Sequence, residues 1–361
     1  MNANKREMMS GIFFQVKSIS LFKLFVIIIV FLGTNANTNG NFYREITTNF
    51  YPQNKGTISN HTVESDIECA LFCSRLDDCF GFGFRSEIMK KEEIMNCQLV
   101  KCYEAVNIHG IHYSGSALWT FFQTITLYGS KENPGRSCED ILMKRCRDDI
   151  SDGVYWITVG TNIDQPFPVY CDMENGGWTL VFKTIAGESE VIGNIWKDSL
   201  TYEESSLEAL NKRNSFKKYY KNRILQNWTM FNPIEVRMVL YSQTKEQVVL
   251  KFNASGTSKM DWFRVHRLQH SPWQDVLSTT KDYFSINAFC SQGRCRSFYI
   301  NRNHGGCEND AGWLMIGGLT GCGWENRFPE NCFLYSNSGT YANWNHYDKI
   351  GTAEVFAVYL R

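Results

Sequence analysis

The spacing of apolar residues changes several times along the chain, and each change predicts an element. Leu24 to Leu32 is an uninterrupted apolar run of nine residues. A membrane-spanning helix needs about 20 such residues, and the core of a signal peptide about 7–15. Further on, Cys69, Leu71/Phe72, Cys73 and Leu76 recur at helical spacing, so Cys69 and Cys73 share a face one turn apart. Thr62 to Glu68 supplies hydroxyl and acidic residues for the helix N-terminus. The Phe80-Gly81-Phe82-Gly83-Phe84 alternation reads as a strand, Asn96 to Leu99 opens another, and Trp119 to Phe122 a third. Beyond residue 136, Ser137 to Ile141 reads as a capped helix and Gly153 to Ile157 as an alternating strand. Val169 to Asp172 is a second strand, and the turn at Gly176-Gly177 leads into a third, Trp178 to Val181. A Cys138–Cys171 bond would close this unit around the hairpin. Ile350 to Arg361 reads as one closing strand.

Residues 1–36 read as a signal peptide. Lys5, Arg6, Lys17 and Lys23 precede or flank the apolar run, and Thr34 and Ala36 stand at the −3 and −1 positions of a cleavage site. The rival is an uncleaved signal anchor, since the basic region is long and Ile12 to Phe14 adds apolar surface. The chain has 37 basic and 37 acidic residues, a net charge of zero. Cleavage would leave 33 against 36, or −3. That balance lacks the electrostatic footprint of a nucleic-acid binder. No later segment is long enough to cross a bilayer as an apolar helix. Thirteen cysteines point to an oxidising compartment, and the expected location is the extracellular matrix of a secreting cell. Sequons at Asn60, Asn227 and Asn253 fit that route.

The cysteines fall into two territories, divided by the polar, turn-rich segment 129–136, read as a linker. In the first, Cys69-x3-Cys73-x5-Cys79, the aromatic strand after it and Cys97-Gln98-Leu99 resemble the PAN/apple domain. The matching stretch is roughly 42–128, within a domain assigned to 37–128. The resemblance implies a helix on a small antiparallel sheet, with bonds Cys69–Cys97 and Cys73–Cys79. Cys102 is then left over, for another partner, a buried thiol or an intermolecular disulfide.

In the second territory, the ordered set Ser137-Cys138, Asp152-Gly153-Val154-Tyr155, Tyr170-Cys171-Asp172-Met173 and Gly176-Gly177-Trp178-Thr179-Leu180 looks like a fibrinogen-like C-terminal domain. It is assigned to 137–361. The chain end and the second helix cysteine, Cys146, are similar to the intelectin branch, which implies a Cys146–Cys332 bond. Pairing of Cys290, Cys295, Cys307 and Cys322 stays open. The expected fold class is α+β: a small helix-on-sheet domain followed by a larger disulfide-rich α+β domain.

The fibrinogen-like family binds ligands through late loops, often with Ca2+. The usual aspartate-rich calcium loop is absent. Near its place, Glu308 and Asp310 offer oxygens, and Glu330 in Phe328-Pro329-Glu330-Asn331-Cys332 is similar to an intelectin calcium carboxylate. The alternative is a polar, disulfide-rich loop. Tyr341, Trp344, His346 and Tyr347 are candidates for an aromatic recognition surface. Trp178 and Trp313 read as core. No metalloprotease, nucleophile-elbow, phosphate-loop or dinucleotide motif is present, so no enzyme is expected. The pairing of modules is similar to secreted cnidarian proteins, including skeletal organic matrix proteins of stony corals. It implies an adhesion or matrix protein whose partners are extracellular glycans or matrix proteins, without nucleic acid, and with Cys102 available for a disulfide-linked oligomer. The second reading is a calcium-dependent carbohydrate-binding lectin of innate-recognition type.

Overall fold

The computed structural model describes residues 43–50, 57–76, 79–85, 95–101, 119–124, 128–145, 150–160, 165–187, 191–211, 218–291, 294–317, 321–329 and 331–361. The expected signal segment, Cys102, Cys146 and Glu330 lie outside them. The described chain is disulfide-rich and mostly β-sheet, and no described helix exceeds nine residues. None is long and apolar enough to cross a membrane.

Strands β1 (Tyr43–Phe50), β2 (Thr57–His61), β3 (Gly81–Phe84), β4 (Cys97–Val100) and β5 (Trp119–Thr124) form an antiparallel sheet in the order β1-β5-β3-β4-β2. Helix α1 (Asp66–Ser74) begins at Ser65, whose hydroxyl accepts the Glu68 N–H at 3.2 Å. That bond satisfies one of the four donors a helix start leaves open. Its buried face, Cys69 and Cys73, packs with Phe82, Cys97 and Leu99. Disulfides Cys69–Cys97 and Cys73–Cys79 fasten the helix to β4 and close its C-terminal turn. Buried Asn96 clips the entry to α1 by exchanging two 2.8 Å bonds with the Val63 backbone. Gly81 is required by crowding: a Cβ there would stand 2.4 Å from the Phe122 carbonyl oxygen.

The remainder contains α2 (Cys138–Lys144), β6 (Gly153–Ile157), β7 (Phe167–Asp172), β8 (Trp178–Ile185), α3 (Ile192–Lys197), β9 (Tyr220–Lys221), α4 (Trp228–Phe231), β10 (Glu235–Ser242), β11 (Lys245–Asn253) and β12 (Leu268–His270). These are followed by β13 (Tyr283–Ser291), β14 (Arg294–Asn303), β15 (Ala311–Gly317), β16 (Phe333–Ser336), β17 (Ala342–Asn343), β18 (Ile350–Ala353) and β19 (Val355–Leu360). One sheet runs β12-β11-β10-β19-β8-β7-β6, with β9 on β8; another runs β13-β14-β15-β16-β18, with β17 on β15. Cys138–Cys171 joins α2 to β7. Gly177, at φ +78°, lets the hairpin pass under α2, since a Cβ would lie 2.7 Å from the Glu139 Cα.

The two sheets share one aromatic core. Phe182 and Phe356 from the first meet Phe298 and Phe333 from the second, with Trp196 and Trp262 alongside. Each such ring contributes about 1.5–3 kcal/mol by leaving water. Trp178 and Trp313 are buried. The expected single closing strand is in fact two. The break falls at Glu354, whose N–H donates to Tyr241 and whose carbonyl accepts from Ala186. Residues before it pair with β16, and those after it enter the centre of the other sheet.

Candidate functional site

The site is built around the turn from the end of β14 to the start of β15. Three connecting segments, 302–310, 321–328 and 341–349, come together there. Their anchor is Arg296, buried near the start of β14. Its Nη1 donates to Asp310 Oδ2 at 2.7 Å and to the Tyr299 hydroxyl at 2.5 Å, and its Nη2 donates to Glu325 Oε1 at 2.9 Å. Asp310 Oδ1 accepts from Tyr299 at 3.1 Å and from the Asn301 amide at 3.0 Å. Glu325 Oε2 accepts the backbone N–H groups of Gly321 and Cys322. Arg296, Asp310 and Glu325 are each at most 1% exposed. Burial works against the guanidinium charge, but Tyr299, Asp310 and Glu325 outweigh it and hold Arg296 protonated.

Covalent and amide contacts complete the frame. Cys307–Cys322 joins the first two segments. The Asn343 and Asn345 amides donate to the Glu308 and Cys307 carbonyls, both at 2.9 Å, and the Trp344 N–H donates to the Asp310 carbonyl at 3.0 Å. The His304 N–H is held by Asp282 at 2.7 Å.

Of the expected calcium set, Glu308 and Asp310 lie among the described residues. Asp310 is spent on a guanidinium, a hydroxyl and an amide, so its oxygens face no open position. Glu308 is exposed, and Glu330 lies outside the described residues. Among the described residues, no group of three or more His, Cys, Asp or Glu side chains is placed to hold a metal. The expected aromatic surface needs correction at Trp344. That ring is 0% exposed and stacks on Trp324 at 6.1 Å, packed with Tyr299, Met315 and Leu334. Tyr341 and Tyr347 are half-buried and His346 is exposed.

Two residues outside the expected set join this surface. The Arg302 guanidinium lies 4.1 Å from the Tyr341 ring centre, and that of Arg327 3.8 Å from the Tyr347 ring centre. Both arginines are exposed. Nothing local in the sequence marks these pairs, because each joins residues from separate segments.

The other expected sites are dispersed. Asn60 is exposed on β2, its side-chain oxygen accepting from Gln98 at 3.1 Å, and Asn253 is exposed at the end of β11. Asn227 is half-buried and donates to the Arg223 carbonyl at 2.8 Å. Cys290–Cys295 closes the β13–β14 hairpin. Cys332 corrects the implied Cys146–Cys332 bond: it is a free thiol buried among Met315, Trp324 and Leu334, and Cys146 lies outside the described residues. Burial pushes it up to about 12.

Comparison with known families matches residues 123–253 to the fibrillar collagen C-terminal domain. That segment runs from the end of β5 through β11, so it includes α2 and the Cys138–Cys171 bond and stops before the late loops. Among solved structures, the fibrinogen-like globe domain of human ANGPTL2 is similar at 14% sequence identity and a TM-score of 0.31, covering 63% of this chain and 99% of that chain.

Proposed function

We propose that this is a secreted, non-enzymatic adhesion or extracellular-matrix protein that binds its partner through the loop face formed by segments 302–310, 321–328 and 341–349. In this reading a PAN/apple-like module precedes a fibrinogen-like one, and the protein works in an organic matrix such as that of a coral skeleton. Five disulfides among the described residues support an oxidising compartment. The observation that carries the proposal is the framing of the loops. A disulfide, a buried ion cluster and two asparagine amides hold them on a rigid sheet, and a preorganised surface loses little entropy on binding. Tyr341, His346 and Tyr347 are the polar-tipped aromatic groups it offers.

The test is binding of the oxidised chain to an array of glycans and matrix proteins. Saturable binding that is weakened by substitutions at His346 or Tyr347 supports the reading. A chain that binds nothing on the array contradicts it. Because Asp310 is engaged by Arg296, a chelator should leave binding unchanged; loss of binding in EDTA would instead favour the calcium-dependent lectin.

A further inference from the structure

We propose that Arg302 and Arg327 form a two-point cradle for an acidic polysaccharide, gripping sulfate or carboxylate groups on separate sugars. The inference rests on the loop face being a recognition surface and names the ligand class it takes. Each guanidinium is exposed and lies over a tyrosine ring. Among the described residues, neither side chain has a hydrogen bond or an ion pair with the protein. An arginine in solution would lose much rotamer freedom on gripping an anion, and stacking meets part of that cost beforehand. The planar fork then presents paired N–H donors, the geometry that matches two oxygens of one carboxylate or sulfate.

The spacing favours a polysaccharide. Tyr341 and Tyr347 are six residues apart, which places their Cα atoms within roughly 22 Å of one another. The intervening chain turns, with His346 N–H donating to the Asn343 carbonyl, so the true span is shorter. Lys281 adds no free charge near the first point: its ammonium donates to the Thr279 carbonyl and faces Asp275, which accepts from the Tyr341 N–H at 3.1 Å. Exposed Glu308 and Asp348 stand on the same loops, so the face is not a uniform cationic field. A strand of nucleic acid, with a charge about every 3.4 Å, would meet those acids. A sparsely charged polysaccharide such as hyaluronan, with one carboxylate per disaccharide, can avoid them, whereas densely sulfated heparin meets them as DNA does.

The experiment uses the full, oxidised chain and four immobilised probes: a heparin decasaccharide, a hyaluronan decasaccharide, neutral dextran and single-stranded DNA. Binding to at least one acidic polysaccharide, at least tenfold weaker in Arg302→Gln/Arg327→Gln, is expected. The Arg302→Lys/Arg327→Lys variant keeps the charge and should recover only part of the affinity; both variants should keep the wild-type near-ultraviolet circular dichroism. Equal affinity of the glutamine variant and wild type overturns the proposal, as does DNA binding as tight as that of the polysaccharide. Binding to neutral glycans alone leaves the recognition surface standing and removes this inference.

Discussion

Arg296 is one side chain on which three loops depend. A buried ion cluster adds little net stability against apolar residues of the same shape, but removing one member strands the others. Arg296→Met should therefore lower unfolding stability by about 3–5 kcal/mol, measured by denaturant titration. Adding Asp310→Asn and Glu325→Gln to that variant should recover much of the loss; no recovery would mean the cluster is not the cause. Lys183 is the opposite case, 1% exposed with its ammonium donating to the Asn211 carbonyl at 2.6 Å. Burial brings it down to about 8. A lysine depressed in the folded state supports folding above its unfolded value near 10.5 and loses that support as pH falls through 8. Lys183→Met should accordingly stabilise the protein at pH 7 by about 1–2 kcal/mol, after the lost hydrogen bond is counted, with the gain shrinking toward pH 10. Cys332 is raised, so the stability it contributes is complete below pH 9 and is lost as pH climbs toward 12. Peptide mass spectrometry should find it unmodified by iodoacetamide at pH 8 until the chain is unfolded; rapid native labelling would contradict its burial.

Among the elements, those with a strong local period could be read in the sequence. The Phe-Gly alternation of β3 and the i, i+4 cysteines of α1 leave little choice of strand or helix. Strand β17 has only two residues and no period, which is why Trp344, set among asparagines and tyrosines, looked like surface although tertiary packing buries it. The split between β18 and β19 was hidden for a similar reason. Both halves are apolar enough for a strand, and only Glu354 marks where the chain changes sheets. Arg302 and Arg327 illustrate the limit most clearly, since a stacked ring from a distant segment leaves no trace in local spacing. The Cys138–Cys171 bond holds α2 against the hairpin. Replacing both cysteines by serine should cost about 2–4 kcal/mol in a thermal or denaturant melt. A loss well under 1 kcal/mol would show that packing alone fixes this unit.

At the scale of the whole molecule, the proposed role gives sheets and core the task of holding the late loops still. The aromatic core between the two larger sheets makes β14 and β15 a firm base, and the segments bound to their ends inherit that firmness. The Cys307–Cys322 bond lies in this framing, at the surface rather than in the main core. Opening that bond should therefore loosen the loops while the core stays folded. The measurement that decides most directly is affinity for the best ligand on a glycan and matrix-protein array, compared between the oxidised wild type and Cys307→Ser/Cys322→Ser, with stability followed in parallel. A fall in affinity of tenfold or more is the predicted result, with a loss of stability of about 2–3 kcal/mol from opening the 15-residue loop and a chain that is still folded. Undiminished binding by the serine variant would show that recognition, if present, resides elsewhere on the chain.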